Sequence, residues 1–224
     1  METKITKNYF EFGSVKYFRG KAENVEIGAF GEKKDPIGAE AHLEVQNKVK
    51  SDYLDKRVRF ITTTTVDWDK ATKADVEVNG TLKFFSLNGK AAVNGSYEKA
   101  KSANLKLTKF AIDEGPLKTM LNQDADAARN FLADEGNDGR ITSEVWVAMD
   151  AQMSEHFSTS GSISVSVSGS GSGLDVTASG GTKGSQTITL SKGTTFAYLL
   201  HKVKDWNKGK TVIEDLEADY KGMS

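Results

Sequence analysis

The sequence predicts an α+β fold in which a twisted antiparallel β-sheet with long hairpins is flanked by a few helices. Short runs of β-branched and aromatic residues alternate with glycines through much of the chain, which is typical of strands joined by turns. Three Asn-Gly pairs, the strongest short signal for a hairpin turn, follow one another between residues 79 and 95. A stretch near the middle has helical spacing instead.

The first part of the chain is expected to consist of short strands. Residues 15–17 and 25–27 carry β-branched and aromatic side chains between glycines. Residues 57–66 form a stronger strand signal, because four consecutive threonines disfavour a helix there. Alternation places Val58, Phe60 and Thr62 on one face. The Asn-Gly pairs that follow are too close for three full hairpins, so some are expected to be bulges or bends.

The middle of the chain predicts one helix followed by one long strand. The helix would span residues 117–133, between Pro116 and Gly136, on the spacing of Leu117, Met120, Leu121, Ala128, Phe131 and Leu132. Residues 144–154 then alternate apolar and polar positions, which favours a strand. A helical spacing through Trp146, Met149, Met153 and Phe157 also fits loosely.

A serine-valine alternation between residues 160 and 168 is the most regular strand signal. Ile163, Val165 and Val167 alternate with serines, a Gly/Ser turn follows at 169–173, and closing strands are expected at 187–190 and 194–200. The chain ends in a short acidic amphipathic piece after Lys208-Gly209-Lys210. We therefore divide the chain into a main domain, 1–204, and a short tail, 205–224.

Composition excludes several classes of function. With 30 Lys and Arg against 31 Asp and Glu, the net charge of −1 argues against bulk electrostatic capture of nucleic acid. The absence of cysteine removes disulfides, thiolate-zinc sites and cysteine nucleophiles, and it suits a reducing compartment. No secretory signal and no 18-residue apolar stretch are recognisable, so we expect a cytoplasmic protein.

No enzyme active site or cofactor site is evident. The three histidines, His42, His156 and His201, are far apart, and no nucleophile, phosphate-loop or dinucleotide motif occurs in the required context. Residues 134–141 resemble a calcium loop, but position 3 is Gly136 and Glu144 comes one place before position 12. These departures favour an acidic helix exit over a metal site, and an enzyme is only the third hypothesis.

The serine-valine alternation has two interpretations. It fits an ordinary strand with one face on the core and one in water. It also fits a strand that crosses a membrane, which needs about 9–11 residues with one apolar and one polar face. Residues 160–168 have that pattern over nine positions.

Two terminal motifs resemble those of the gasdermin pore-forming domain. Lys4-Ile5-Thr6-Lys7-Asn8-Tyr9-Phe10 is similar to the Lys-x-Thr-[Lys/Arg]-Asn-aromatic run on that domain's first helix. Residues 189–198, TLSKGTTFAY, are similar to its closing motif, in which a small turn, a threonine and an Ala-aromatic pair follow an aliphatic strand end. The order between them also matches: a β-region at 76–97, a helix, a long strand, a Gly/Ser-rich hairpin and a closing strand.

The resemblance implies an autoinhibited pore-former with a role in cell death and defence. A protease acting in trans would remove a C-terminal segment, and the freed domain would form a homo-oligomer on acidic lipids of the inner or plasma membrane. Two hairpins, 57–97 and 141–190, would complete a large β-barrel. The short tail matches the bacterial members, although these often carry an N-terminal cysteine for lipidation and this chain has none.

The resemblance also assigns candidate roles to particular side chains. The membrane-inserting candidates are Val58, Phe60, Val76, Val78, Val145, Val147, Ile163, Val165 and Val167. Lys4 and Lys7 would meet lipid head groups. Ile213, Leu216 and Tyr220 would anchor the inhibitory tail. The alternative hypothesis is a non-catalytic β-rich binding or structural module, in which the tail is an ordinary terminal helix that completes the core.

Overall fold

The computed structural model describes residues 3–77, 82–180, 184–220 and 222. The strands before the middle of the chain are β1 (Thr3–Ile5), β2 (Tyr9–Phe12), β3 (Val15–Phe18), β4 (Ala29–Lys34), β5 (His42–Lys48), β6 (Arg59–Thr65), β7 (Leu82–Phe84), β8 (Val93–Gly95) and β9 (Lys106–Ala111). Those after it are β10 (Gly139–Met149), β11 (Ser162–Val167), β12 (Gly173–Ser179), β13 (Gln186–Ser191), β14 (Thr195–Trp206) and β15 (Ile213–Asp219). The helices are α1 (Ser51–Leu54), α2 (Lys73–Val76), α3 (Tyr97–Ser102), α4 (Glu114–Gln123), α5 (Asp126–Glu135) and α6 (Ala151–Thr159). The prediction of a mixed fold built mostly on antiparallel sheet is confirmed.

Two long central strands, β10 and β14, organise a branched sheet that contains ten strands of the described chain. They pair with each other along one edge, and the outer edge of each pairs with two further strands. The outer edge of β10 pairs with β4 and β9, and that of β14 pairs with β3 and β15. Strands β1, β2, β5 and β6 extend these branches. A three-stranded sheet, β11-β12-β13, and the small β7–β8 hairpin are separate.

The core has two apolar clusters, because β10 is buried on both faces. Val145, Val147 and Met149 belong to the larger cluster, and Trp146 and Ala148 belong to the smaller one. A strand covered on both sides is a nearly continuous apolar run, which is the pattern of residues 145–149. The sheet therefore lies between two cores, and the three-stranded sheet contributes to the larger one.

The predicted single helix at 117–133 is wrong, since two helices occupy this region. α4 ends at Gln123, and α5 begins at Asp126. Arg129 stabilises the break, because its guanidinium donates to the carbonyl oxygens of Leu121 and Asn122 at 3.2 and 2.8 Å. These carbonyls belong to the last turn of α4, where the helix leaves its acceptors without partners. The predicted exit at Gly136 is present, with φ of 57° in the left-handed region that favours glycine.

The predicted long strand at 144–154 is correct only to Met149. Asp150 ends β10 and caps α6, since its carboxylate accepts a hydrogen bond from the Met153 amide at 2.7 Å. The weaker helical spacing described the second half correctly, because Met153 and Phe157 are both buried on α6. A capping aspartate thus divides what alternation alone presents as one strand.

In the folded chain, the two regions that the resemblance assigns to long hairpins after membrane insertion are divided by helices. Val76, expected in a strand, lies in the short helix α2, whose start has a capping box between Thr72 and Asp75. Tyr97 begins α3. The resemblance also placed Lys4 and Lys7 on a helix, whereas residues 3–5 form the strand β1 and Lys7 follows it. In the second region, α6 separates β10 from the three-stranded sheet.

The tail is a strand of the main sheet, so the expectation of a terminal helix is wrong. β15 pairs with β14 from Leu200↔Asp219 to Trp206↔Ile213. The boundary drawn between 204 and 205 falls inside β14. None of the described helices is long and apolar enough to cross a membrane.

Candidate functional site: an amphipathic sheet and its cleft

The three-stranded sheet has one apolar face and one hydroxyl-rich face. Its buried face carries Leu174, Val176, Ala178, Ile188 and Leu190. On the opposite face the register aligns Ser164 with Thr177 and Thr177 with Thr187. The hydroxyl oxygens of Thr177 and Thr187 are 2.8 Å apart, and Thr189 donates to Asp175 at 2.7 Å. The period-2 alternation of the sequence therefore becomes a sheet that is amphipathic across its strands.

Helix α6 supports the apolar face of this sheet. His156 Nε2 lies 3.1 Å from the carbonyl oxygen of Ala178, which attaches the helix to β12. Phe157 is buried and forms ring contacts with Phe60 and Phe110, with centroids 6.4 and 6.0 Å apart. The helix thus joins the small sheet to strands β6 and β9 of the main one.

A cleft of about 560 Å³ separates β11 from β6. Its apolar lining consists of Val58, which directly precedes β6, Phe60 on β6, and Ile163 and Val165 on β11. Asp55, Lys56 and Arg59 add charged side chains to the lining. In the described chain, β6 has its ladder only with β9 and β11 only with β12, so each is an edge strand. The cleft therefore lies between two strands that are each at the edge of their sheet.

Some predicted membrane-inserting residues meet at this cleft and others do not. Val58 is buried, Phe60, Ile163 and Val165 are half-buried, and Val167 is 38% exposed. Val145 and Val147 lie fully buried in the centre of β10, and Val76 is buried in α2. Val78 lies outside the described residues. The structure thus brings together members of both predicted hairpins, through β6 and β11.

The predicted head-group lysines are both on the surface. Lys4 has its ammonium 5.8 Å from the ring centre of Tyr9, a cation–π contact. Lys7 forms an ion pair of 2.7 Å with Glu40, and this contact helps to hold the pKa of Glu40 below its usual value. Both side chains are exposed, although Lys7 already has an acidic partner.

The tail is held by burial, by a helix and by charge. Ile213 and Leu216 are buried, whereas Tyr220 is 49% exposed. The Asn122 amide on α4 both donates to and accepts from the backbone of Ile213, at 3.0 and 2.9 Å. Asp219 accepts from Lys33 and Arg140 at 2.9 and 2.7 Å, and all three side chains are buried. The acidic partner in this cluster belongs to the tail and its two cations belong to the main sheet.

A second polar cluster was not recognised from the sequence. His201 Nδ1 lies 2.7 Å from Ser143 Oγ, and its Nε2 lies 3.6 Å from a carboxylate oxygen of Glu114. Burial lowers the pKa of His201 below its usual value, against the opposing effect of Glu114 and Glu144. Lys109 binds Glu144 at 3.1 Å nearby. Ser143 is completely buried in a β-bulge, so no substrate reaches its hydroxyl group in this structure.

The predicted acidic helix exit lies at the end of α5. Asp134 and Glu135 complete the helix, and residues Gly136–Asp138 form a 3-10 turn before β10. Within the described ranges, no three His, Asp or Glu side chains converge closely enough to hold a metal ion.

Comparison of the chain with models of protein families, with curated proteins and with solved structures found no match.

Proposed function

We propose that this chain is a gasdermin-like pore-forming protein whose C-terminal strand holds it inactive. The observation that carries the proposal is the cleft between β6 and β11. One edge strand from each of the two regions assigned to membrane insertion borders it, and their apolar side chains line it. Free edges with apolar faces are the parts of a folded sheet most ready to pair with further strands.

The amphipathic sheet supplies strands of the required chemistry. In the β11–β12 hairpin, residues 162–167 pair with residues 174–179, six positions on each strand. About 9–11 residues per strand cross the hydrocarbon layer, so insertion would lengthen each arm by about three residues. The buried face of Val176 and Ala178 would turn to lipid, and the hydroxyl face would line water. In the folded chain, this apolar face is buried in the larger core cluster, to which α6 contributes Met153 and Phe157.

The tail strand supplies the restraint. Its connection to β14 is the turn at residues 207–212, in which Lys208, Gly209 and Lys210 are exposed. Cleavage there by a protease in trans would leave β15 held only by noncovalent contacts. Departure of β15 would free the outer edge of β14 between Leu200 and Trp206, which a second copy would then pair with to begin a homo-oligomer.

Vesicle leakage tests this proposal. A specific protease site replaces residues 208–210, and dye-loaded vesicles with acidic lipids report leakage after cleavage. The same chain with a scrambled, uncleavable site is the matched control. A second arm uses the cleavable chain with Asp219→Asn, which weakens the hold on β15. Leakage that depends on cleavage supports the proposal, and intact vesicles in both cleaved arms contradict it.

The alternative is a non-catalytic binding or structural module, and the burial of Asp219 favours it. Because Lys33 and Arg140 are buried against this carboxylate, β15 has the contacts of a permanent core strand. A permanent strand predicts that the cut chain remains one folded unit that ignores lipid. Size-exclusion chromatography of the cleaved Asp219→Asn chain separates the two candidates, since only the pore-former loses β15 and associates with vesicles.

A further inference from the structure

Arg19 is a buried cation that is held by backbone carbonyl oxygens. It follows β3 and is 2% exposed. Its Nη1 donates to the carbonyl oxygen of Thr6 at 2.8 Å and to that of Asp75, and its Nη2 donates to that of Val76 at 3.1 Å. The guanidinium also lies 4.2 Å from the ring centre of Phe196. These contacts fix its position between β3, α2 and β14.

The charge of Arg19 is incompletely matched in the part of the chain that the structure describes. No carboxylate there forms an ion pair with it, and its Nε, which is buried, has no hydrogen-bond partner there. The charge of Asp75 acts on Arg19 and opposes the effect of burial on its pKa, but the Asp75 carboxylate accepts its hydrogen bonds from the amide and hydroxyl of Thr72. Buried charges are normally paired and hydrogen-bonded, because desolvation without a partner is costly. Burial lowers the pKa of Arg19 to about 9, which leaves it protonated at neutral pH.

A pocket of about 110 Å³ opens beside this guanidinium. Lys83, Glu23, Gly193 and Phe196 are among the residues that line it with Arg19. One water needs only about 10–15 Å³ of such space, so a group of several heavy atoms fits. The described charges of the lining, two positive and one negative, leave it with a net charge of +1.

The second cation, Lys83, lies against a glycine at the edge of the pocket. The Lys83 ammonium would lie 2.8 Å from a Cβ atom on Gly193, closer than real Cβ contacts allow. Gly193 also has φ of +90°, which side-chain-bearing residues rarely adopt, and its amide donates to the Glu23 carbonyl at 2.7 Å. Lys83 on β7 and the turn before β14 thus line the same small pocket as Arg19.

We propose that this pocket binds a small oxyanion, either a carboxylate or a phosphate group. Lys83 Nζ donates to it, and charge-assisted hydrogen bonds of this kind are about twice as strong as neutral ones. The bound anion lies beside the Arg19 guanidinium, balances its positive charge and connects β3, β7 and the turn before β14. This site is independent of the membrane activity proposed above.

Calorimetric titration and thermal unfolding of the full chain test the site. The probes are sodium acetate and inorganic phosphate at constant ionic strength, and acetamide is the uncharged match of acetate. We expect saturable binding and a rise in the unfolding temperature with at least one of the two anions and none with acetamide. Comparison of acetate with phosphate identifies which chemistry the pocket prefers. Absence of saturable binding by either anion contradicts the proposal.

Two substitutions locate the binding. Lys83→Met changes an exposed side chain, so the fold is retained, and we expect the anion affinity to fall by about tenfold, the loss of one charge-assisted hydrogen bond. Arg19→Lys keeps the charge but loses the planar guanidinium that the carbonyl oxygens of Thr6 and Val76 hold beside the pocket, and it should weaken binding further. Lys101→Met, at a surface pair with Asp69, is the matched control and should bind as the wild type does. Unchanged affinity in Lys83→Met overturns the site even if Arg19→Lys fails to fold.

Discussion

Asp219 Oδ2 lies 2.7 Å from Arg140 Nε, and the two side chains are only 2% and 7% exposed. The same carboxylate oxygen accepts from Lys33 at 2.9 Å. Asp219, near the end of the described chain, therefore pairs with two buried cations, Lys33 on β4 and Arg140 on β10. This contact makes the C-terminal strand both a part of the core and a point at which the fold can be loosened.

Replacement of Asp219 is expected to destabilise the protein strongly. Asp219→Ala removes one acidic partner from two buried cations, and loss of one member of a buried pair costs about 3–5 kcal/mol. Equilibrium urea unfolding measures the change. Lys204→Met, which removes an exposed pair with Asp215 on the same two strands, is the control and should leave the unfolding midpoint almost unchanged. Equal midpoints for wild type and Asp219→Ala would contradict the role given to this contact.

The contacts of Asn122 predict a smaller and more local effect. Its side-chain amide satisfies both the amide and the carbonyl of Ile213 at the outer edge of β15. Asn122→Ala leaves these two backbone groups unpaired, which costs about 1–3 kcal/mol for each group that stays buried. Hydrogen exchange should be faster at the Ile213 amide of Asn122→Ala than at that of the wild type, whereas exchange at Val145 in the centre of the sheet should be unchanged. Protection of Ile213 equal to that of the wild type would argue against this function of α4.

The sequence could predict the mixed fold, because apolar periodicity reports which residues face a core. It placed strands near β6, β11 and β14 for that reason. It could not predict where alternation stops, since Asp150 ends a strand by capping a helix and Arg129 stabilises a break between two helices. Those effects depend on single polar side chains and not on a period.

The candidate site was predictable only in part. The serine-valine alternation identified the amphipathic sheet, because a single strand carries that signal. The contacts of Asp219 with Lys33 and of His201 with Ser143 join positions 186 and 58 residues apart. No local pattern in the sequence identifies such pairs. Their burial, which gives them their effect on stability, arises only when the sheet is assembled.

The pKa of His201 predicts a loss of stability in mildly acidic solution. Burial lowers this pKa below the unfolded value of about 6.5, so the unfolded chain binds the proton more tightly. The stability that the neutral His201 side chain contributes is complete above about pH 6.5. It is lost as the pH falls from there towards the pKa of His201 in the folded state. The carboxylates whose pKa is lowered, such as Glu40 and Asp67, lose their contribution only at lower pH.

Urea midpoints between pH 7.5 and pH 5 measure this effect. The wild type should become less stable across this interval, and His201→Gln should show a shallower decline, because the glutamine cannot take up the proton. Glu114→Gln removes the carboxylate that opposes the shift, and it should make the decline steeper. Identical slopes for wild type and His201→Gln would exclude a titration of His201 in this range.

A matched pair on β11 tests whether the amphipathic pattern serves insertion. Val165→Lys places a charge on the face assigned to lipid. Val165 is half-buried and lines the open cleft, so the longer lysine side chain can extend into the cleft in the folded chain. Ser164→Lys places the same charge on the exposed hydroxyl face, beside Thr177. A lysine facing lipid costs about 2–4 kcal/mol near the bilayer midplane, whereas one facing water costs little. With both variants folded by circular dichroism, leakage from cleaved Val165→Lys should fall by tenfold or more, and cleaved Ser164→Lys should leak as the wild type does. Equal leakage from the two variants would show that these strands do not cross the membrane with the orientation proposed.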